Sequence, residues 1–372
     1  MSQLDELRQR AEAFVATEIA PHQAAWEAAH GVHQDVWSRA GELGLISPDV
    51  PAEHGGAGGD FRSMAAVLEA CARHDVRSWG IAVQAIVVNY VLHHGTQAQR
   101  DKYLPELLAG RLIGAIAMTE PTAGSDLKQI QATARPIPGG YVLSGRKKFI
   151  SNSRDAGLVV VAAKIDGGAA GARGISLLLV DVPTEGYSIL RHLPKVGQRG
   201  LDTSELDFVD VSLPADVVLG GTPSRGFAQL MDGLPYERML VAATALATME
   251  RALDVTSRYA KARSAFDKKL IDLQHIRFKL ADIKTRCTVG RAFVESCVDR
   301  LVDGELDAAT AATAKLWLTE SECAVADDCV QILGGNGYTS DFPIAQIFID
   351  SRVDRIYGGT SEIMKEIIAR TI

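Results

Sequence analysis

Cysteine is scarce in this 372-residue chain, and the five present (Cys71, Cys287, Cys297, Cys323 and Cys329) are odd in number and never spaced C-x-x-C. That excludes a disulfide framework and points to reduced, mostly buried thiols in a reducing compartment. Long hydrophobic runs are missing too. The longest, such as residues 158–163, fall far short of the roughly 18 residues that a transmembrane helix needs. Positive charge is not in excess: 39 Lys+Arg against 46 Asp+Glu leaves a net charge of −7, which argues against nucleic acid as a partner. The opening MSQLDELRQRAEAF carries Asp5 and Glu6 and no apolar core, a poor fit to a secretory signal or an acid-poor transit peptide. The expectation is a soluble, cytoplasmic protein with no membrane association.

Several catalytic motifs are absent as well. There is no H-E-x-x-H and no carboxylate-rich loop, and the one histidine pair, His93-His94, consists of chain neighbours that cannot easily share an ion, so no metal is expected. No G-x-S-x-G marks a serine nucleophile. The glycine-rich HGGAGGD at 54–60 lacks the Lys-Ser/Thr of a phosphate loop and reads as a tight turn. No G-x-G-x-x-G lies between a strand and a helix, which argues against a dinucleotide fold.

What is there is a chain 47% hydrophobic and 23% charged, long enough for two to three domains with a large core. Residues 1–114 read as helical: Leu4, Leu7, Ala11 and Phe14 recur at helical spacing, as do Val36, Ala40 and Leu43. Residues 115–221 change to short β runs (GYVLSG, GLVVVAAKI, GISLLLVDV, YSIL, ELDFVDVSL) separated by turn residues, which suggests a compact antiparallel β-barrel or sandwich. Helices return over 222–372, where Ile276, Leu280, Ile283 and Cys287 line one face of a helix that continues through Val294, Val298 and Leu301.

Polar stretches in apolar surroundings carry the candidate chemistry. AIAMTEPTAGSD (115–126) opens the β region, RKKFISNS (146–153) ends a strand, and QILGGNGYTSDFP (331–343) and RIYGGTSEIMKE (355–366) bracket a glycine-rich turn. Each alone is ordinary turn chemistry. Together with RSAF, DLQHIRFKLAD and DSRVDRIYGGTSEI, in this order and spacing, they resemble the acyl-CoA dehydrogenase flavoprotein family over essentially the whole chain, closest to its long-chain and isovaleryl branch.

The resemblance implies an α+β multi-domain fold: an N-terminal helical domain, a central β domain and a C-terminal four-helix bundle. It implies FAD held between the last two, in a homo-oligomer, usually a tetramer. The matching positions place Met118, Thr119, Phe149 and Ser151 around the flavin ring, with Ser125 touching flavin and substrate. Arg263 and Phe266 match an R-x-x-F that reaches across a subunit interface to the FAD pyrophosphate, where a planar guanidinium suits paired phosphate contacts. Gln274, Gln331, Gly334, Gly335, Thr360 and Glu362 match further cofactor contacts. Asp267 departs from the family, which usually has glycine there.

The implied reaction takes the α proton of an acyl thioester while hydride leaves the β carbon, so a positioned base and donors to the thioester carbonyl are needed. Many members supply the base from Tyr-Glu-Gly-Thr, but this chain reads Tyr357-Gly358-Gly359-Thr360. The long-chain and isovaleryl branch carries it in a segment similar to LPYERMLVA (234–242), which makes Glu237 the expected base. Tyr236, Arg238, Gly358 and Gly359 are the matching substrate contacts, with the Gly358 N–H on the thioester carbonyl. Another reading of these residues puts Pro235 and Glu237 in the first turn of a helix, the acid there for the dipole, with Arg238 in a surface ion pair. The acyl pocket would end near Val87–Val91 and Met239–Ala243. Acyl-CoA is the expected substrate and an electron-transfer flavoprotein the expected acceptor. The alternatives are an acyl group on a carrier protein, an oxidase of the same fold, or a flavin-binding scaffold without turnover.

Overall fold

The computed structural model describes residues 2–165 and 171–372. The N-terminal helices are α1 (Gln3–Phe14), α2 (Gln23–Ala29), α3 (Gln34–Glu42), α4 (Phe61–Arg73), α5 (Ile81–His94) and α6 (Gln97–Leu108). Two start from reciprocal caps, Ser2 with Asp5 and Thr96 with Gln99, which satisfy amides that a helix start otherwise leaves unpaired. The glycine-rich segment 54–60 is the tight loop expected. Gly58 and Gly59 donate back to Val50 and Pro48, and Asp60 caps α4 through the Arg62 amide.

The middle of the chain is one curled sheet of β1 (Gly114–Ala117), β2 (Thr133–Ile137), β3 (Gly140–Ser151), β4 (Leu158–Ile165), β5 (Ile175–Asp181), β6 (Tyr187–His192) and β7 (Thr203–Pro214). It is mixed: β4 runs parallel to both β1 and β2 and antiparallel to β5, while β2–β3, β3–β7 and β7–β6 are antiparallel. The apolar run of β4 is buried on both sides. Leu158, Val160 and Ala162 join a core shared with α5 and α6, and Val159, Val161 and Ala163 join the core on the opposite face. Such continuous apolar runs characterise strands covered on both faces.

The C-terminal region holds α7 (Gly226–Ala262), a hairpin of β8 (Ser264–Ala265) and β9 (Lys268–Lys269), α8 (Gln274–Val302), α9 (Ala308–Leu333), α10 (Pro343–Ser351) and α11 (Ser361–Ala369). Helix α7 packs on α4 and α5 on one side and on α8 and α9 on the other. It is therefore buried nearly all round from Tyr236 to Met249, as expected of an apolar helix with no wet face. One core runs from Leu7 and Phe14 through α7 to Leu318 and Leu333, so the N-terminal helices and the bundle are welded along α7.

Candidate functional site

Glu237 lies in the interior of α7, because the helix starts at Gly226 and Pro235 falls well inside it. The first-turn reading is thereby overturned, and a dipole explanation for this acid goes with it. The Glu237 side chain is buried, at 5% exposure. Its Oε1 accepts a hydrogen bond from the Tyr90 hydroxyl of α5 at 2.8 Å, while no donor reaches Oε2 among the described residues. Burial pushes its pKa above the ordinary carboxylate range, opposed by the Tyr90 hydrogen bond and by the charge of Arg238. A desolvated carboxylate with one free oxygen is the environment that makes a strong general base.

Arg238 is buried too, with no partner for its Nε among the described residues, which overturns the surface ion-pair reading. Tyr236, expected among the substrate contacts, has its hydroxyl engaged within the protein. Its hydroxyl donates to Asp49 Oδ2 at 2.7 Å, and its ring meets Phe61 edge-on at 5.5 Å. It ties α7 to the N-terminal helices, and its polar atom is already committed there.

The Gly358-Gly359 turn meets α7 one turn beyond Glu237. A Cβ on Gly358 would lie 3.7 Å from Val241 Cγ2, so the two positions at which a base is expected in different branches face one region of space. Both glycines have positive φ, 64° and 99°, a conformation that side chains disfavour. Buried Lys315 of α9 pins the turn by donating to the Gly359 carbonyl at 2.7 Å. Among the described residues, no acceptor takes the Gly358 N–H.

A second group assembles at the sheet. The Lys148 N–H donates to the Thr119 carbonyl at 2.9 Å, which brings Met118 and Thr119 beside the bulge in β3 that carries Phe149. There Phe149 adopts φ 62° and its ring is 61% exposed. Ser151 follows, its hydroxyl 3.2 Å from that of Thr203. Beneath them Lys147, with no exposure at all, donates to the Met118 carbonyl, the Ala162 carbonyl and Glu120 Oε1 at 3.1, 2.7 and 2.8 Å. Ser125 is exposed in the loop after β1.

A third group sits at the end of α7. Phe266 and Asp267 are the two loop residues of the β8–β9 hairpin, with φ 53° and 58°, the backbone that two-residue hairpin turns require. Aspartate tolerates it better than most side chains, so Asp267 keeps the turn that a glycine would make. The Phe266 ring is 88% exposed, and Arg263 makes no ion pair among the described residues. Gln274 begins α8, exposed. Exposed Gln331, Gly334 and Gly335 lie nearby at the end of α9, joined to α7 by the Asn336–Tyr259 hydrogen bond. Thr360 caps α11 and Glu362 lies in its first turn. No hydrogen bond among the described residues connects the hairpin group to Met118 or Phe149.

Three family models account for nearly the whole chain: the acyl-CoA dehydrogenase N-terminal domain over residues 2–111, the middle domain over 115–211 and the C-terminal domain over 224–372. The chain belongs to the acyl-CoA dehydrogenase family. It is 42% identical to the mouse long-chain specific acyl-CoA dehydrogenase over all of this chain and 86% of that protein. With rice isovaleryl-CoA dehydrogenase it shares 35% identity over 99% of this chain and 90% of that one. Among solved acyl-CoA dehydrogenase structures, that from Geobacillus kaustophilus is 38% identical with a TM-score of 0.96, covering 100% of this chain and 98% of the other. A glutaryl-CoA dehydrogenase from Mycobacterium smegmatis in complex with FADH2 is 25% identical, with a TM-score of 0.91 over 100% and 95%.

Sequence reasoning missed several buried polar residues that hold these groups in place. Tyr90 was legible only as part of an apolar pocket segment, although a lone tyrosine hydroxyl in such a run is a signal in itself. Lys147 and Lys315 gave no signal, since lysines are ordinarily surface residues. Asp49 was likewise silent. Burial raises its pKa to about 6 against the Tyr236 hydrogen bond, which lowers it. A raised acid pKa means the folded protein holds a proton that the unfolded chain releases, so this group's contribution falls as pH rises from about 4 through about 6. Asp49→Asn, which carries no such burden, should therefore gain on the wild type by roughly 1.4 kcal/mol between pH 5 and pH 8, because within that window the wild type loses stability only up to about 6. Melting curves of both proteins at the two pH values measure this, and an equal gap at both would remove Asp49 from the pH response.

Proposed function

We propose that this chain is an FAD-dependent acyl-CoA dehydrogenase in which Glu237 takes the α proton of a saturated acyl thioester, giving the 2,3-enoyl thioester. One observation carries the assignment: a buried carboxylate with a free oxygen on α7, one turn from the place where Gly358 lacks the family's usual acid. The Gly358 N–H and the neighbouring Arg238 face the thioester end. The amide donates to the carbonyl as negative charge grows on it, and the guanidinium offsets the charge of the base before transfer. Gly359 shapes the turn. Ser125 is proposed to touch substrate and cofactor.

The residues present fit FAD. An exposed aromatic residue at Phe149, with Thr119 tied to the neighbouring Lys148 and Ser151 two positions on, offers an apolar surface with polar groups close by in the strand. An exposed Arg263 without an ion-pair partner among the described residues suits a pyrophosphate, and a Cβ on Gly334 or Gly335 would meet nothing within 4 Å, so that backbone is open to a large ligand. Met118, Thr119, Phe149 and Ser151 would hold the ring, Arg263, Phe266, Gln274, Gln331, Gly334 and Gly335 the phosphates and adenosine, and Thr360 and Glu362 the middle. When bound, FAD accepts the hydride from the substrate's β carbon.

A homotetramer is proposed on the family resemblance, with the exposed Arg263 and Phe266 of the hairpin open to a neighbouring subunit. Helix α8 also leaves Phe278 and Val289 exposed on one face. An electron-transfer flavoprotein is the proposed acceptor. No helix among the described residues is long and apolar enough to cross a membrane, and the free thiols suit a reducing compartment, proposed as the cytoplasm although the curated relatives named above include mitochondrial proteins. The three domains are proposed to divide at 114/115 and 221/222. No observation favours the carrier-protein, oxidase or silent-scaffold alternatives.

The deciding experiment is the visible spectrum of purified protein during anaerobic addition of saturated acyl-CoAs from short to long chain. A flavin band bleached most by one chain class supports the whole proposal. A band that no acyl-CoA bleaches would overturn the substrate assignment.

A further inference from the structure

We propose that Tyr90 is a positioning residue for the base, and that Gly233 is glycine to admit it. The Tyr90 hydroxyl holds one Glu237 oxygen and favours the charged carboxylate, leaving the other oxygen free to take the proton. The inference rests on Glu237 being the base.

Tyr90 comes from α5 and Glu237 from α7, so the contact exists only where the two helices cross. The Tyr90 side chain is 1% exposed, which leaves its hydroxyl no water to bond. A buried tyrosine hydroxyl needs a protein partner, and Glu237 Oε1 at 2.8 Å supplies it. The approach is possible because α7 carries glycine one turn before the base. A Cβ at Gly233 would lie 2.7 Å from Tyr90 Oη and 2.8 Å from its Cζ, closer than real side chains come. Glycine is a poor choice in the interior of a helix, and Gly233 lies well inside α7, away from either cap. The hydroxyl explains it.

The chemical need is plain. Burial raises the Glu237 pKa and so favours the protonated form, and a protonated base is idle. Tyr90 and Arg238 both oppose burial. Tyr90 itself is held well above its ordinary value by burial and by Glu237, so it remains a donor across the working range. The other titratable groups here are Asp232 on α7, which acts on Tyr90, and His94 on α5, whose ring centroid is 6.0 Å from that of Tyr90.

The test is the pH profile of kcat/KM for the holoenzyme with a saturated acyl-CoA. Tyr90→Phe should move the acidic limb up by about one pH unit, since it removes a hydrogen bond to the charged form. At neutral pH it should lower kcat by about tenfold, with KM little changed. Gly233→Ala keeps the tyrosine yet displaces its hydroxyl, so it should shift the limb in the same direction while flavin content stays full. An unmoved limb in both variants, with Glu237→Gln inactive, overturns the role of Tyr90 and leaves the base standing. A limb that moves with His94→Gln and not with Tyr90→Phe assigns the titration to the histidine and likewise overturns it. Turnover retained in Glu237→Gln removes the base itself.

Discussion

Glu237→Gln should purify with its flavin in place and lose turnover by about 10²–10⁴-fold, the usual worth of a positioned general base. The substitution keeps the shape of the side chain, and the amide oxygen can still accept from Tyr90, so packing along α7 is preserved. What disappears is the proton acceptor. The melting temperature should stay close to that of the wild type or rise slightly, because a buried charge is removed. Turnover with an artificial electron acceptor, read beside flavin absorbance, measures both halves. Wild-type turnover in this variant would return the chemistry to another group. No acid stands at Gly358 to take it, and a side chain there would have to adopt φ 64°.

Lys147→Met should be the most damaging change away from the base. Lys147 and Glu120 form an ion pair with almost no exposure on either side, and Lys147 also donates to the Met118 and Ala162 carbonyls. Removing one partner of such a pair leaves the other charge buried, at about 3–5 kcal/mol. Glu120 would retain the Gln131 and Ala132 amides, which places the loss toward the lower end. For a chain of 372 residues that corresponds to a drop in melting temperature on the order of 5 °C. The damage should also reach the cofactor: Met118 loses the donor that ties its loop to β3, so flavin content should fall together with stability. Thermal melts and the flavin-to-protein absorbance ratio give the two readouts. A variant that melts like the wild type with full flavin would reduce Lys147 to a filler of space.

The two variants separate chemistry from scaffold. One should abolish the reaction in a protein that stays folded and yellow, and the other should loosen the protein beneath the flavin while Glu237 remains in place.

The helices and strands were legible because their signal is local. The apolar spacing of Leu7, Ala11 and Phe14, and of Leu280, Ile283 and Cys287, marks buried faces that the structure contains, and the valine-rich run of β4 is a strand. The motif set was legible for the same reason, since it is a property of order and spacing along the chain, and it named Glu237 as the candidate base. The sheet's mixed character was not legible: the parallel pairing of β4 with β1 and β2 joins strands that the chain does not connect by a turn, and no residue pattern specifies it.

The sequence by itself determined the family, the order of helical and β regions, and the candidate base, because periodicity and motif spacing survive without knowledge of what packs against what. Tertiary structure alone decided that Glu237 lies inside a long helix, out of water and held by a hydroxyl from 147 positions earlier. It also decided that Tyr236 serves α4 and that two lysines are buried to pin loops. The physical reason is distance along the chain. Burial, and the hydrogen bonds that burial makes obligatory, arise where α5, α7 and α9 cross, and residues brought together by a crossing leave no shared signature in sequence.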